Sequence, residues 1–178
     1  MKQELTFSTA EEALNHFNMG WIAEQHQLLT QSGIVVDTHK AIVRNDTNKV
    51  IGVVGKDYVP IQNSDAFGMF DVLIKKYNAK WTNVQSINNG SSIYLQIKIG
   101  TGEVRKGDIV ENRITIFNAF NGTSSFKIFS TPYRLVCLNG MKAAVRSAEV
   151  KAHIRHTKNA MYRYEDIVTG KQIGRAHV

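Results

Sequence analysis

The chain has one cysteine, Cys137, and two prolines among 178 residues. A single thiol excludes any disulfide within the chain, and it suits a reducing compartment. Acidic residues are also scarce, 15 against 22 lysines and arginines, and they are scattered. A two-metal nuclease site gathers carboxylates, so this distribution supports one poorly. No apolar run approaches the ~20 residues of a membrane helix, and Lys2 is followed by polar residues instead of an apolar leader. There is no P-loop, no dinucleotide-binding glycine pattern and no serine elbow. These absences lead us to expect a cytoplasmic protein with no membrane span, no disulfide and no cofactor.

What is present describes a globular chain. Hydrophobic residues make up 43%, enough for one domain with a sizeable core. The formal charge of +7 favours an anionic partner such as nucleic acid, although a soluble protein can also be basic without binding anything. The sequons at Asn45, Asn89 and Asn121 read as turn chemistry in a protein that is not exported.

The strongest local signal is the stretch Val110 to Thr131, two alternating runs joined by Asn121-Gly122. Asn-Gly supplies the positive φ angles of a two-residue hairpin turn. Such a turn would set Phe117 opposite Phe126 and Ile116 opposite Lys127. One face would then carry Phe117, Ala119, Phe126 and Ile128. The other would mix Ile114, Ile116, Phe120 and Phe129 with Asn118, Ser125 and Lys127.

Elsewhere, Ser8 to Met19 reads as a short helix with Thr9 and Glu12 in a capping-box pattern. Ile34 to Arg44 and Val50 to Val54 form a second hairpin around Asn45–Asn48. A helix runs from Asn63 or Ser64 to Tyr77, with Phe67, Phe70, Leu73, Ile74 and Tyr77 as its buried stripe. Trp81 to Ile87 and Ser92 to Ile99 are strands, and Gly100 to Asp108 reads as a polar loop. Residues Leu135 to Val145 suit a helix interrupted at Asn139-Gly140, Val150 to Ile154 a strand, and Thr157 the cap of a last helix. Residues 169–178 have no apolar period and read as a tail beyond a single domain, 1–168, that is itself cut short at its C-terminus. The expected class is α+β: an antiparallel, hairpin-rich sheet of six or more strands with helices packed on one side.

Two constellations could carry chemistry. His153 and His156 resemble a metal pair, but on a strand residues three apart point to opposite faces, and no third ligand is fixed nearby. Cys137, between Val136 and Leu138, reads as a buried and inert thiol. The basic residues say more. Lys142, Arg146, Lys151, His153, Arg155, His156, Lys158 and Arg163 crowd one segment, with Tyr133, Tyr162 and Tyr164 nearby for stacking. Such a cluster also suits a solvated charged surface. The expected nucleic-acid contacts are Asn118, Lys127, Arg134, Lys142, Arg146, Lys151, Arg155, His156 and Lys158, with single-stranded DNA favoured and a homo-oligomer compatible.

A family pattern runs through these elements. It comprises Ile42-Val-Arg-Asn-Asp-Thr, then Ile51-Gly-Val-Val-Gly-Lys-Asp-Tyr-Val-Pro-Ile-Gln-Asn63. Asn118, Asn121-Gly122, Arg134-Leu-Val-Cys-Leu-Asn139 and Arg155-His-Thr157 follow in order. From Trp21 to Asp166 the chain resembles an uncharacterised phage- and plasmid-related family, with Asn121 where an aspartate is frequent. The resemblance implies a mobile-element protein in a bacterial cytoplasm and carries no settled activity. An architectural likeness to single-strand annealing proteins of the Rad52 type implies DNA binding in a basic groove, often as rings. The leading expectation is a non-enzymatic nucleic-acid-binding module that anneals single strands in recombination. The alternatives are a protein-interaction module, such as an inhibitor of a host defence protein, and a metal-assisted hydrolase using His153 and His156.

Overall fold

The computed structural model describes residues 5–7, 9–105, 108–134, 149–158 and 160. In chain order these form α1 (Ala10–His16), β1 (Ala23–Leu29), β2 (Val35–Arg44), β3 (Val50–Gly55), α2 (Asn63–Tyr77), β4 (Lys80–Ile87), a 3-10 turn (Asn88–Gly90), β5 (Ser92–Arg105), β6 (Asp108–Ala119), β7 (Phe126–Arg134) and β8 (Glu149–Ile154). The class is α+β, as expected. The strands divide into two antiparallel sheets instead of one: β1-β2-β3 and the meander β4-β5-β6-β7-β8. The helix expected over Leu135 to Val145, Cys137, the last helix beyond Ala160 and the tail lie outside the described residues. Among the described residues, no helix is long and apolar enough to cross a membrane.

α1 starts where the capping pattern places it: the Thr9 hydroxyl accepts from the Glu12 backbone N–H at 3.2 Å. At the start of α2 the cap is Gln62 instead of Asn63 or Ser64, and its backbone N–H donates to the Asp65 carboxylate at 3.0 Å. Asn63 points inward and donates to the carbonyls of Met19 and Trp21. The apolar stripe of α2 buries Phe67, Phe70 and Leu73, while Tyr77 at its end is exposed.

Trp81, fully buried on β4, receives this stripe. The Phe67 ring stacks on it at 5.1 Å and the Phe70 ring meets it edge-on at 5.3 Å. Beneath lie Ile93, Leu95 and Ile97 of β5, all fully buried. Ile42 and Val54 of the small sheet join the same apolar cluster, so one core serves both sheets.

Two expectations about the large sheet change. Residues Gly100 to Glu103 continue β5, pairing with Asn112 to Ile109 of β6. Glycines and polar side chains gave them a loop-like pattern, but ladder hydrogen bonds are made by the backbone and need no apolar side chain. The β6–β7 hairpin is also displaced by one residue: Phe117 faces Lys127 and Ile116 faces Ile128. Among the described residues only Gly122 of the Asn-Gly pair has positive φ, so the turn is not the two-residue type that needs both. Instead the Asn121 side-chain carbonyl accepts from the Thr123 N–H at 3.1 Å and its hydroxyl at 2.7 Å, a local Asx turn. A slip of one residue exchanges faces. Ile114, Ile116, Asn118, Phe126 and Ile128 face the core, and Phe117, Lys127 and Phe129 turn outward.

The sheets are joined by polar contacts between the motif residues. Arg44 forks onto Asp46, donates to the Asn89 carbonyl at 3.0 Å and lies 4.5 Å over the Trp21 ring. The bonded guanidinium holds the Asp46 carboxyl below its ordinary range. Arg44→Lys keeps the charge but loses the fork and the flat stacking cation. It is expected to lower stability by ~1 kcal/mol, read as a lower urea midpoint at unchanged slope.

Candidate nucleic-acid interface

The segment between β3 and α2 contains Pro60, which has no N–H to give a ladder, and it runs as irregular backbone that sinks from the surface to buried Ile61. Its polar groups need partners, and side chains supply them. Asn118 donates to the Ile61 carbonyl at 2.8 Å, and the Ile61 N–H donates to His156 Nδ1 at 3.4 Å. The Tyr58 hydroxyl donates to the Ala119 carbonyl at 2.8 Å, and the Val59 N–H to the His156 carbonyl at 3.0 Å. The Tyr58 and His156 rings stack at 4.7 Å. Gln62 grips Ala23 through both its N–H and its carbonyl.

This places Asn118 and His156, two of the expected nucleic-acid contacts, in the interior: Asn118 is 0% exposed and His156 6%. Burial pulls the His156 imidazole down to about 4, against a smaller upward effect from the backbone at Val59. His156 is therefore neutral at pH 7 and cannot act as a phosphate-binding cation. A polar residue inside an alternating strand looked outward-facing in the sequence. The displaced register turned Asn118 inward, and the irregular segment gave both residues backbone partners.

The outward face of the large sheet is assembled by the ladder. Residues directly opposite share a face, so one row crosses the strands as Gln85, Tyr94, Phe117, Lys127 and His153. The neighbouring row holds Asn83, Gln96, Thr115 and Phe129. Tyr94, Phe117, Lys127 and Phe129 are half-buried and His153 is exposed. Cross-strand neighbours stand ~5 Å apart, so the aromatic rings and the ammonium of the first row lie within one short stretch of surface.

Beside this row, on the same face of the sheet, is a largely buried hydrogen-bonded network. Glu111, 7% exposed, takes two donors of Arg113 and pairs with Lys98 at 3.6 Å. Arg113 in turn donates to Gln96 at 2.8 Å. Lys98 and Arg113 are thus neutralised by a carboxylate within the protein. Of the cations expected to converge, Lys127, Arg155 and Lys158 are among those whose side chains are described. Lys127 belongs to the outward row. Arg155 and Lys158 are exposed beyond the end of β8. Arg134 closes β7, but its side chain, that of Lys151, and all of Lys142 and Arg146 lie outside the described residues.

Tyr94, Phe117 and Phe129 were not among the expected contacts. Their signal was present: Tyr94, Gln96 and Lys98 alternate with Ile93, Leu95 and Ile97, and Arg113, Thr115 and Phe117 alternate with Ile114 and Ile116. The assumed register hid it by assigning Phe117 to the opposite face from Lys127.

His153 and His156 do not form a metal pair. The first is exposed on the outward row, within 3.4 Å of Ser125, and the second is buried against Tyr58. Among the described residues, no three His, Cys, Asp or Glu side chains gather where a metal ion could be held.

Fold and surface together define an antiparallel α+β protein whose larger sheet packs its apolar face on a helix and turns an aromatic, polar and cationic face outward. The chain belongs to a family known as Domain of unknown function (DUF932), which matches residues 50–175, from the first residue of β3 onward. No curated protein and no solved structure gives a match to the chain.

Proposed function

We propose that the protein is a non-enzymatic nucleic-acid-binding module that holds single strands on the outward face of β5, β6 and β7. The observation that carries this reading is the row Tyr94–Phe117–Lys127–His153, in which aromatic faces and a cation succeed one another across the sheet. Bases of any identity can stack on exposed aromatic rings, and a nearby ammonium neutralises phosphate. The overall charge of +7 favours approach of a polyanion. Phage or plasmid origin, a place in the bacterial cytoplasm and a role in annealing strands during recombination form the wider setting of the same reading, supported by the motif resemblance.

The test is a fluorescence-anisotropy titration with short oligothymidylate between about 50 and 200 mM salt. Affinity is expected to fall as salt rises. Lys127→Ala is expected to make the salt slope shallower by about 0.7, the share of one phosphate contact on a single strand. Absence of binding at low salt removes the reading.

The protein-interaction reading is favoured by a different observation. Leu29, Ile34, Val35, Val50 and Val53 are exposed on and beside the small sheet. A charge placed there by Val53→Lys is expected to leave oligonucleotide binding unchanged, which separates the two surfaces experimentally.

A further inference from the structure

The hydrogen-bonded network beside the outward row has a direction. Arginine has only donors, so the guanidinium of Arg113 fixes which end of the Gln96 amide faces it. Glu111 anchors that guanidinium through Nε at 2.9 Å and through Nη2, and Nη1 donates to Gln96 Oε1 at 2.8 Å. The Gln96 amide must then present Nε2 to the other side, where it donates to the Thr115 hydroxyl at 3.1 Å and to the Tyr94 phenol oxygen at 3.0 Å. Tyr94 is held as an acceptor by this chain of donors. Its own phenolic hydrogen is left to give, and no described residue accepts it.

We propose that Tyr94 donates this hydrogen to a phosphate oxygen of the bound strand, with Gln96 and Arg113 as positioning residues that keep the phenol turned to donate. The inference rests on the nucleic-acid reading and names a contact within it. A phosphate suits the position because a charged acceptor strengthens a hydroxyl hydrogen bond, and because the Lys127 ammonium stands in the same row, across Phe117. The base attached to that phosphate would lie on the Phe117 ring.

The test is a double-mutant cycle in the same titration. Tyr94→Phe removes the hydroxyl and keeps the ring. It is expected to weaken binding about fivefold at every salt concentration, because a neutral donor releases no counterion. Gln96→Leu is expected to weaken binding by a similar factor alone and by nothing further in the Tyr94→Phe background, a result that mere damage to the sheet would not give. Equal losses on oligothymidylate and oligoadenylate are expected for a phosphate contact. Unchanged affinity of Tyr94→Phe overturns the contact. A loss that differs between the two homopolymers overturns its assignment to phosphate, and a Gln96→Leu loss that persists in the Tyr94→Phe background overturns the positioning. Binding by the wild type together with any of these leaves the broader reading standing, whereas failure of the wild type to bind removes both.

Discussion

Gly52→Ala is expected to destabilise the protein by ~3 kcal/mol or more, lowering the melting temperature by roughly 6–12 °C in a thermal melt. Gly52 lies in the middle of β3, where its backbone runs close against the β6–β7 turn. A methyl group there would stand 2.5 Å from Asn121 Cα and 2.7 Å from the Phe120 carbonyl oxygen. Both are main-chain atoms of the β6–β7 turn, so no rotamer change relieves the clash. The turn is itself pinned: Gly122 has φ +75° and packs near Val54. Phe120 lies against Trp21 at 5.1 Å. Gly55→Ala provides the control within the same strand. Nothing stands within 4 Å of its added carbon, and it is expected to be neutral or to stabilise by up to about 1 kcal/mol through the unfolded chain.

Acid is expected to loosen the same junction from the other side. His156 is buried against Tyr58, and its Nδ1 accepts from the Ile61 N–H. The unfolded imidazole takes a proton near 6.5, whereas burial delays protonation in the folded protein to about 4. Between those values the unfolded state binds more protons, so stability is complete above pH 6.5 and falls as pH falls towards 4. The loss between pH 7 and pH 4 is ~3 kcal/mol from this residue. Burial pushes the Tyr58 phenol the other way, upward, so it stays neutral throughout this window. Urea titrations at pH 7 and pH 4.5 read the effect. His156→Gln is expected to lower stability at pH 7 and to remove most of the difference between the two conditions. A wild-type difference that survives in His156→Gln would assign the acid sensitivity to other groups.

Much of the framework was legible in the sequence. The Thr9 cap, the helix Asn63–Tyr77, the strand pair around Asn45–Asn48 and the strands from Trp81 and Ser92 follow from periodicity and turn chemistry, which are local properties. The displaced hairpin shows where local reasoning ends. Asn121-Gly122 marks a turn correctly, but the same dipeptide serves either a two-residue loop or an Asx turn. A slip of one residue then reassigns every side chain on the ribbon. The division into two sheets depends on where α2 crosses the core, and no strand pattern encodes that. Buried Asn118 and His156, with half-buried Gln62 beside them, illustrate a third gap. Their partners are backbone groups of Ala23 and Ile61, distant in the chain, so the polarity of Asn118 and His156 alone suggested a surface. The family motif therefore reads differently once folded: Arg44, Tyr58, Asn118 and His156 tie the small sheet and the segment after it to the large sheet, and Gln62 ties that segment to β1. The residues proposed to meet a ligand lie on the other face of β5, β6 and β7.

Photo-cross-linking the protein to a short bromodeoxyuridine strand and mapping the modified peptides places the ligand on the surface directly. Cross-links at Tyr94, Phe117 and Phe129, lost when Lys127 is changed to glutamate, are expected if the outward face of the large sheet holds the strand. Cross-links confined to the small sheet or to α2, or none at all, would contradict it.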